Sequence, residues 1–333
     1  MTEPVTQAAR QNIWSRINGQ TWLGLLGVYI ALIITLSLKS PYFLSVNNFL
    51  NIGVAVSIIG IIAVTMTMVI VSGGIDLSVA SVVALTGTVV AQLSNRDMPF
   101  GLPAMPVAVT SALAVGLLAG AFNGVAVTRI GINPLIATLG TLSIARGLAF
   151  VSSGGLTQTI SSDAFGFLGR GFLLGIPFPV IFMLLLFALT AAIMQKTVFG
   201  RSLYAIGGNA QASRLAGLPV SRLVMAVYIL SGFSAALGGL FLASQFSSGA
   251  PAAAAGIELS VIAAVILGGT SLSGGKGTIG GTLLGVLILG TLNNGLTLLS
   301  VSSYYQEVAR GAVLLLAVGL DQLRLRLAAR ARG

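Results

Sequence analysis

The sequence predicts an all-α polytopic membrane protein, with about ten transmembrane helices in two inverted five-helix repeats. Three observations carry this. Of the 333 residues, 56% are hydrophobic and only 7% charged, where an average soluble protein has about 25% charged; a soluble domain of this size needs charge to cover its surface. The apolar residues also fall into runs long enough to cross a bilayer. Finally, one fifteen-residue motif occurs twice, five runs apart.

A membrane helix needs about 20 mainly apolar residues. Residues 1–20, with Glu3, Arg10 and Arg16, are polar and carry no small-residue cleavage site after a short apolar core, so they are expected to form a cytoplasmic tail and not a signal peptide. A single membrane domain is expected at 21–322. Its first span, 22–38, stops at Lys39. The second, 50–72, stops at Gly73-Gly74. The third, 77–94, opens after the polar break at Asp76 and ends before Arg96. The fourth, 105–128, ends at Arg129, and the fifth, 134–152, starts on Pro134. A Ser-, Thr- and Gly-rich loop with Asp163 and Arg170 follows at 153–174. The sixth span, 175–195, ends at Lys196 and opens the longest inner connection, 196–222, which holds four basic residues and no acidic one. The seventh is 223–246. The eighth, 257–271, follows a second polar break, and like the third is expected to be short or partly re-entrant. The ninth, 278–299, begins beyond Lys276. The tenth, 306–322, leaves a basic tail at 323–333.

Ten spans place both termini on one side. With the N-terminus inside, the inner segments hold Arg10, Arg16, Arg129, Lys196, Arg201, Arg214, Arg222, Lys276, Arg324, Arg326, Arg330 and Arg332. The outer ones hold only Lys39, Arg96 and Arg170. This positive-inside bias predicts a bacterial inner-membrane protein with both termini cytoplasmic. The net charge of +10 lies in short loops and at the C-terminal end rather than along a soluble face, so no nucleic-acid partner is expected. There is no Cys and no His, which removes thiolate chemistry, His metal ligands and the commonest general base together. No enzyme activity, cofactor or metal is expected in this chain.

The repeated motif reads GIDLSVASVVALTGT at 74–88 and GIELSVIAAVILGGT at 256–270, identical at nine of fifteen positions, with Asp76 exchanged for Glu258. Five spans separate the copies. Equivalent helices therefore cross in opposite senses, the inverted-topology repeat that suits alternating access. A Gly ladder runs in both halves, Gly116, Gly120, Gly124 and Gly277, Gly281, Gly285, and such spacing lets helix backbones approach closely.

Polar residues near the spans are the candidates for chemistry. Asp76 and Glu258 stand at helix starts, where a carboxylate caps free backbone N–H groups; contact with substrate is the alternative role. For Asn123, Asn293 and Asn294 two roles are open: hydrogen bonds across helices, or lining a polar path. Arg146 is expected to snorkel or to pair with a carboxylate rather than to bind substrate. Glu307 and Arg310, three apart, are expected to pair. The stretch Ser273-Gly274-Gly275-Lys276-Gly277-Thr278 imitates a phosphate loop, but Gly277 intervenes where Ser or Thr must follow Gly-Lys directly. Any ATP-driven step therefore needs another subunit.

Four stretches in order resemble one family: GGIDLSVASVVALTGTVVA at 73–91, INPLIATLGTLSIARGLAFVSSGG at 132–155, FGRSLYAIGGNAQASRLAGLPV at 199–220, and the run from Glu258 to Leu296. It is the ribose-type permease family of bacterial ABC importers, related to branched-chain amino-acid permeases, and the resemblance covers about residues 45–321. It implies a permease moving a monosaccharide or similar small polar solute by alternating access, with an amino acid or nucleoside as alternative cargo. It implies a second permease copy, identical or paralogous, two cytoplasmic ATPase subunits that bind ATP-Mg, and a periplasmic substrate-binding protein. It also implies that Gly200, Arg201, Tyr204, Ala205, Gly207, Gly208, Asn209, Ala212 and Gly217 form the loop that docks into the ATPase. Ser213-Arg214 departs from the family's usual Ala-rich or Lys-containing sequence. An ion-coupled secondary transporter, which can also carry inverted repeats, is the remaining alternative.

Overall fold

The computed structural model describes the backbone of residues 7–330 and the side chains of residues 23–319 except Phe100. Residues 1–6 and 331–333 of the two expected tails lie outside the described residues. In chain order the helices are α1 (Gln7–Lys39), α2 (Val46–Val71), α3 (Val79–Ser94), α4 (Ala104–Val125), α5 (Pro134–Ser153), α6 (Asp163–Arg170), α7 (Phe178–Lys196), α8 (Val198–Gly208), α9 (Ala210–Leu215), α10 (Val220–Phe246), α11 (Ile257–Leu267), α12 (Ile279–Leu298) and α13 (Ser303–Arg330). Two antiparallel strand pairs decorate one end: β1 (Gln158–Thr159) with β4 (Ser248–Gly249), and β2 (Phe172–Leu173) with β3 (Ile176–Pro177).

Ten of these helices, all but α6, α8 and α9, occupy the ten expected windows. Among the described residues six are long and apolar enough to cross a membrane by length and composition: α2, α4 with its continuation to Ile130, α5, α7, α10 and α12. Two boundaries differ from expectation. α1 begins at Gln7 rather than near residue 22, and α13 runs to Arg330 rather than to 322. Good helix formers such as Ala, Leu and Arg fill these flanks, and a helix does not stop where the lipid does. The sequence also shows no sign of α6 or the strand pairs inside the loops between the spans.

The expectation of short third and eighth spans is met. α3 has 16 residues and α11 has 11, which rise about 24 Å and about 17 Å at 1.5 Å per residue, against a hydrocarbon core of about 30 Å. Non-helical backbone at 72–78 and 247–256 leads into these two helices. Such backbone is tolerated at membrane depth only where protein or a cavity surrounds it.

The repeat is visible in the packing. α10 packs on α3 and α4, while α2 packs on α11 and α12; α3 packs on α4 and α5, while α11 packs on α12 and α13. Exchanging α2 with α10, α3 with α11, α4 with α12 and α5 with α13 turns the first set into the second. The first helix of each half breaks this pattern, since α1 packs on α12 and α7 on α2. The glycine ladders sit at the tightest crossings. A Cβ at Gly116 or Gly120 would run into the α10 backbone at Gly232 and Tyr228, one at Gly285 into the α11 backbone at Ala264, and one at Gly281 into Gly268 just past the end of α11. Even Ala is too large there. Gly277, expected as a rung, instead lies in the loop before α12 at φ 151°.

Candidate functional site

The segment expected to dock an ATPase folds into two short helices. Thr197 Oγ1 accepts from Gly200 N at 3.2 Å and starts α8. Asn209 Oδ1 accepts from Ala212 N at 2.9 Å and starts α9. Gly217, at φ 84°, ends it, with Leu218 N donating back to Ser213 O at 3.0 Å. Ser202, Leu203 and Ile206 are buried, whereas Arg201, Ala205, Gly208, Asn209, Ala212 and Arg214 are exposed and Leu215 is 91% exposed. The nine residues expected to dock thus divide by position. Gly200 is small because a Cβ would strike the end of α7; Tyr204 and Gly207 face inward; the exposed remainder presents an outer surface.

The inward side of α8 meets two other loops through backbone. Gly207 abuts the Val71 carbonyl at the end of α2 and the Gly275 amide, with no room for a Cβ. Gly275 N donates to Val71 O at 2.8 Å, and Tyr204 Oη donates to Gly277 O at 2.9 Å. Burial raises the Tyr204 phenol above its ordinary value, so the donor form persists through alkaline pH. The imitation phosphate loop at 273–278 is therefore a structural seat for α8.

Five residues beyond Val71 lies a buried polar cluster. Asp76 Oδ1 accepts from Ser78 N at 2.9 Å and Ser78 Oγ at 2.6 Å, while Oδ2 accepts from Ser231 Oγ of α10 at 2.7 Å. Asn123 of α4 donates from Nδ2 to Ser78 Oγ at 2.9 Å and accepts at Oδ1 from Thr141 of α5 at 2.5 Å. Tyr228 Oη donates to Ile75 O at 3.2 Å. Hydroxyl pairs Thr65–Ser234 and Thr67–Thr282 tie α2 to α10 and α12. Glu258 lies differently from its counterpart: it is in the first turn of α11, with Oε2 buried and lacking a hydrogen-bond partner. Asn294 donates to Asn48 of α2 at 2.9 Å, and Asn293 is half-buried beside it.

At the opposite end, a cavity of about 420 Å³ opens between α3, α10 and the 248–254 backbone, lined by Val83, Gly87, Gly239, Phe246 and Ala254 among others. Arg146 reaches this end from α5. It donates to the carbonyls of Pro251 and Ala253, both at 2.7 Å, and interacts electrostatically with the Glu258 carboxylate, the expected partner type. The expected Glu307–Arg310 pair is present at 2.9 Å.

The family model described as "Branched-chain amino acid transport system / permease component" matches residues 48–318. The chain belongs to this permease family. The permease is 42% identical over 318 residues to the L-arabinose ABC transporter permease protein of Azospirillum brasilense, a match covering 95% of this chain and 91% of that one. It is 46% identical to the ribose import permease protein of Bacillus subtilis, covering 89% and 91%, and 45% identical to that of Escherichia coli, covering 88% and 91%. No solved structure matches. The permease is a multi-pass membrane protein.

Sequence reasoning passed over Ser78, Tyr228, Ser231 and Thr141. Ser78 stands inside the repeated motif, and Ser231 with Ser234 puts two hydroxyls on one face of an apolar span. Those were the available signals.

Proposed function

We propose that this permease moves a monosaccharide, with pentoses the first candidates, through the bacterial inner membrane as the membrane subunit of an ATP-driven importer working by alternating access. The carrying observation is the end-to-end similarity to proteins named as ribose and L-arabinose import permeases, joined to the outward-facing α8–α9 pair seated on the ends of the spans. The family description names branched-chain amino acids, so such an amino acid is the second reading. The sugar reading is preferred because the full-length relatives carry sugar names.

In this reading the chain hydrolyses nothing. Two cytoplasmic ATPase subunits bind ATP-Mg and dock on α8–α9; a periplasmic protein delivers the sugar; a second permease copy completes the path. The positive-inside bias supports cytoplasmic termini. The test is uptake of labelled ribose, L-arabinose and leucine into proteoliposomes holding the permease, its ATPase and its binding protein. Sugar uptake that requires internal ATP is expected. Uptake by the permease alone under an imposed ion gradient would overturn the importer reading, and leucine uptake without sugar uptake would overturn the cargo.

A further inference from the structure

We infer that Asp76 is a positioning residue for coupling: its buried cluster locks the backbone beneath the α8 seat to α4, α5 and α10, so that a push on α8 moves those spans as one body. This rests on the importer reading above.

A helix cap does not need this arrangement. The N-cap residue of α3 is Ser78, whose side chain caps nothing, and Asp76 lies two residues before it. A carboxylate buried without a cation is costly, and is retained only where its bonds are numerous and well placed. Asp76 has three, and among the described residues its hydrogen-bond partners are all serines. Tyr228 and Ser231, three apart on α10, hold consecutive residues of the irregular segment, Ile75 and Asp76. Ser78 then passes the connection to Asn123, and Asn123 to Thr141. At its other end the same segment begins at Val71, whose carbonyl abuts Gly207 and holds Gly275. Seven residues of irregular backbone would absorb a displacement by bending. Pinned at Ile75, Asp76 and Ser78, they transmit it.

Ser231→Ala removes the tie to α10 and leaves the Asp76–Ser78 turn intact; Asp76→Ala removes both. Asp76→Asn keeps an oxygen for Ser78 and offers an amide to the Ser231 hydroxyl. Each is compared with the parent chain in proteoliposomes containing the ATPase and binding protein. Ser231→Ala and Asp76→Ala should assemble and hydrolyse ATP at the parent's basal rate. Sugar moved per ATP should fall roughly 2- to 30-fold, the range for residues that carry coupling, and the double variant should be no worse than Asp76→Ala alone. Asp76→Asn should stay within about twofold of the parent. Losses that merely track the amount of assembled complex, or parent-like transport by Ser231→Ala, would overturn the inference. Failure of the parent to move either sugar would sink the importer reading instead. The inference is then read from spin labels at Val151→Cys on α5, inside the moving body, and Tyr304→Cys on α13, outside it, which are 80% and 83% exposed in a chain without cysteine. The change in their separation on adding a non-hydrolysable ATP analogue must shrink in Ser231→Ala; an undiminished change contradicts the relay.

Discussion

Arg146 shows how a single cation in a span finds partners. It spends its donors on two main-chain carbonyls because the 247–256 segment, left irregular by the short α11, offers acceptors at that depth. Arg146→Ala leaves both carbonyls without that partner, and hydrogen bonds to charged groups contribute about 1.5–3 kcal/mol each. The expected result is a lower melting temperature in detergent and faster thiol labelling of Ala252→Cys; unchanged labelling would show that the loop is held by other means. Tyr204 makes a weaker contact, so Tyr204→Phe should cost about 0.5–1.5 kcal/mol and reduce ATPase co-purification. Its pH dependence has a definite sign. The folded-state value lies above the unfolded one, so the contribution is complete below the ordinary tyrosine value of about 10 and is lost only as pH rises through the raised value. Co-purification that varies between pH 6 and 9 would require another group.

Among the elements near the candidate site, α8 was poorly legible. Gly200, Gly207 and Gly208 lower its helix propensity, and only contact with α2 and the 271–277 loop makes the helix worthwhile. By contrast α9 announces itself through Asn209, Gly217 and Pro219. The close approach at Gly207 makes a sharp prediction. Gly207→Ala should displace α8 and abolish ATP-dependent uptake, because the new Cβ meets backbone that cannot rotate away. Gly208→Ala and Gly147→Ala, which have nothing within 4 Å of the added Cβ, should leave the melting temperature unchanged or slightly raised. Equal loss from Gly207 and Gly208 would mean that the outer face, not the seat, is at fault. The spans themselves were legible because lipid demands long apolar runs. The Asp76 cluster was legible only in part: its acid and Asn123 stand out in apolar sequence, whereas Ser231 and Thr141 look like ordinary small residues until the helices are packed.

For the whole molecule, the span count and the charge bias make one joint statement about sidedness. Leu215 in α9 and Leu174 in the β2–β3 turn are 91% and 94% exposed, at opposite ends of the bundle. With no native cysteine, Leu215→Cys should be labelled only from the cytoplasm and Leu174→Cys only from the periplasm. Labelling of both from one face would remove the ten-span topology. The seat of α8 has a further bearing on how such machines diversify. It is made of a carbonyl, an amide and a glycine Cα, parts whose dimensions are common to all proteins. Side chains on the outward surface of α9 can therefore change without altering the gearing beneath them. In the importer reading proposed above, choice of motor and length of stroke then rest on different atoms, and the motor can be exchanged while the transmission is kept.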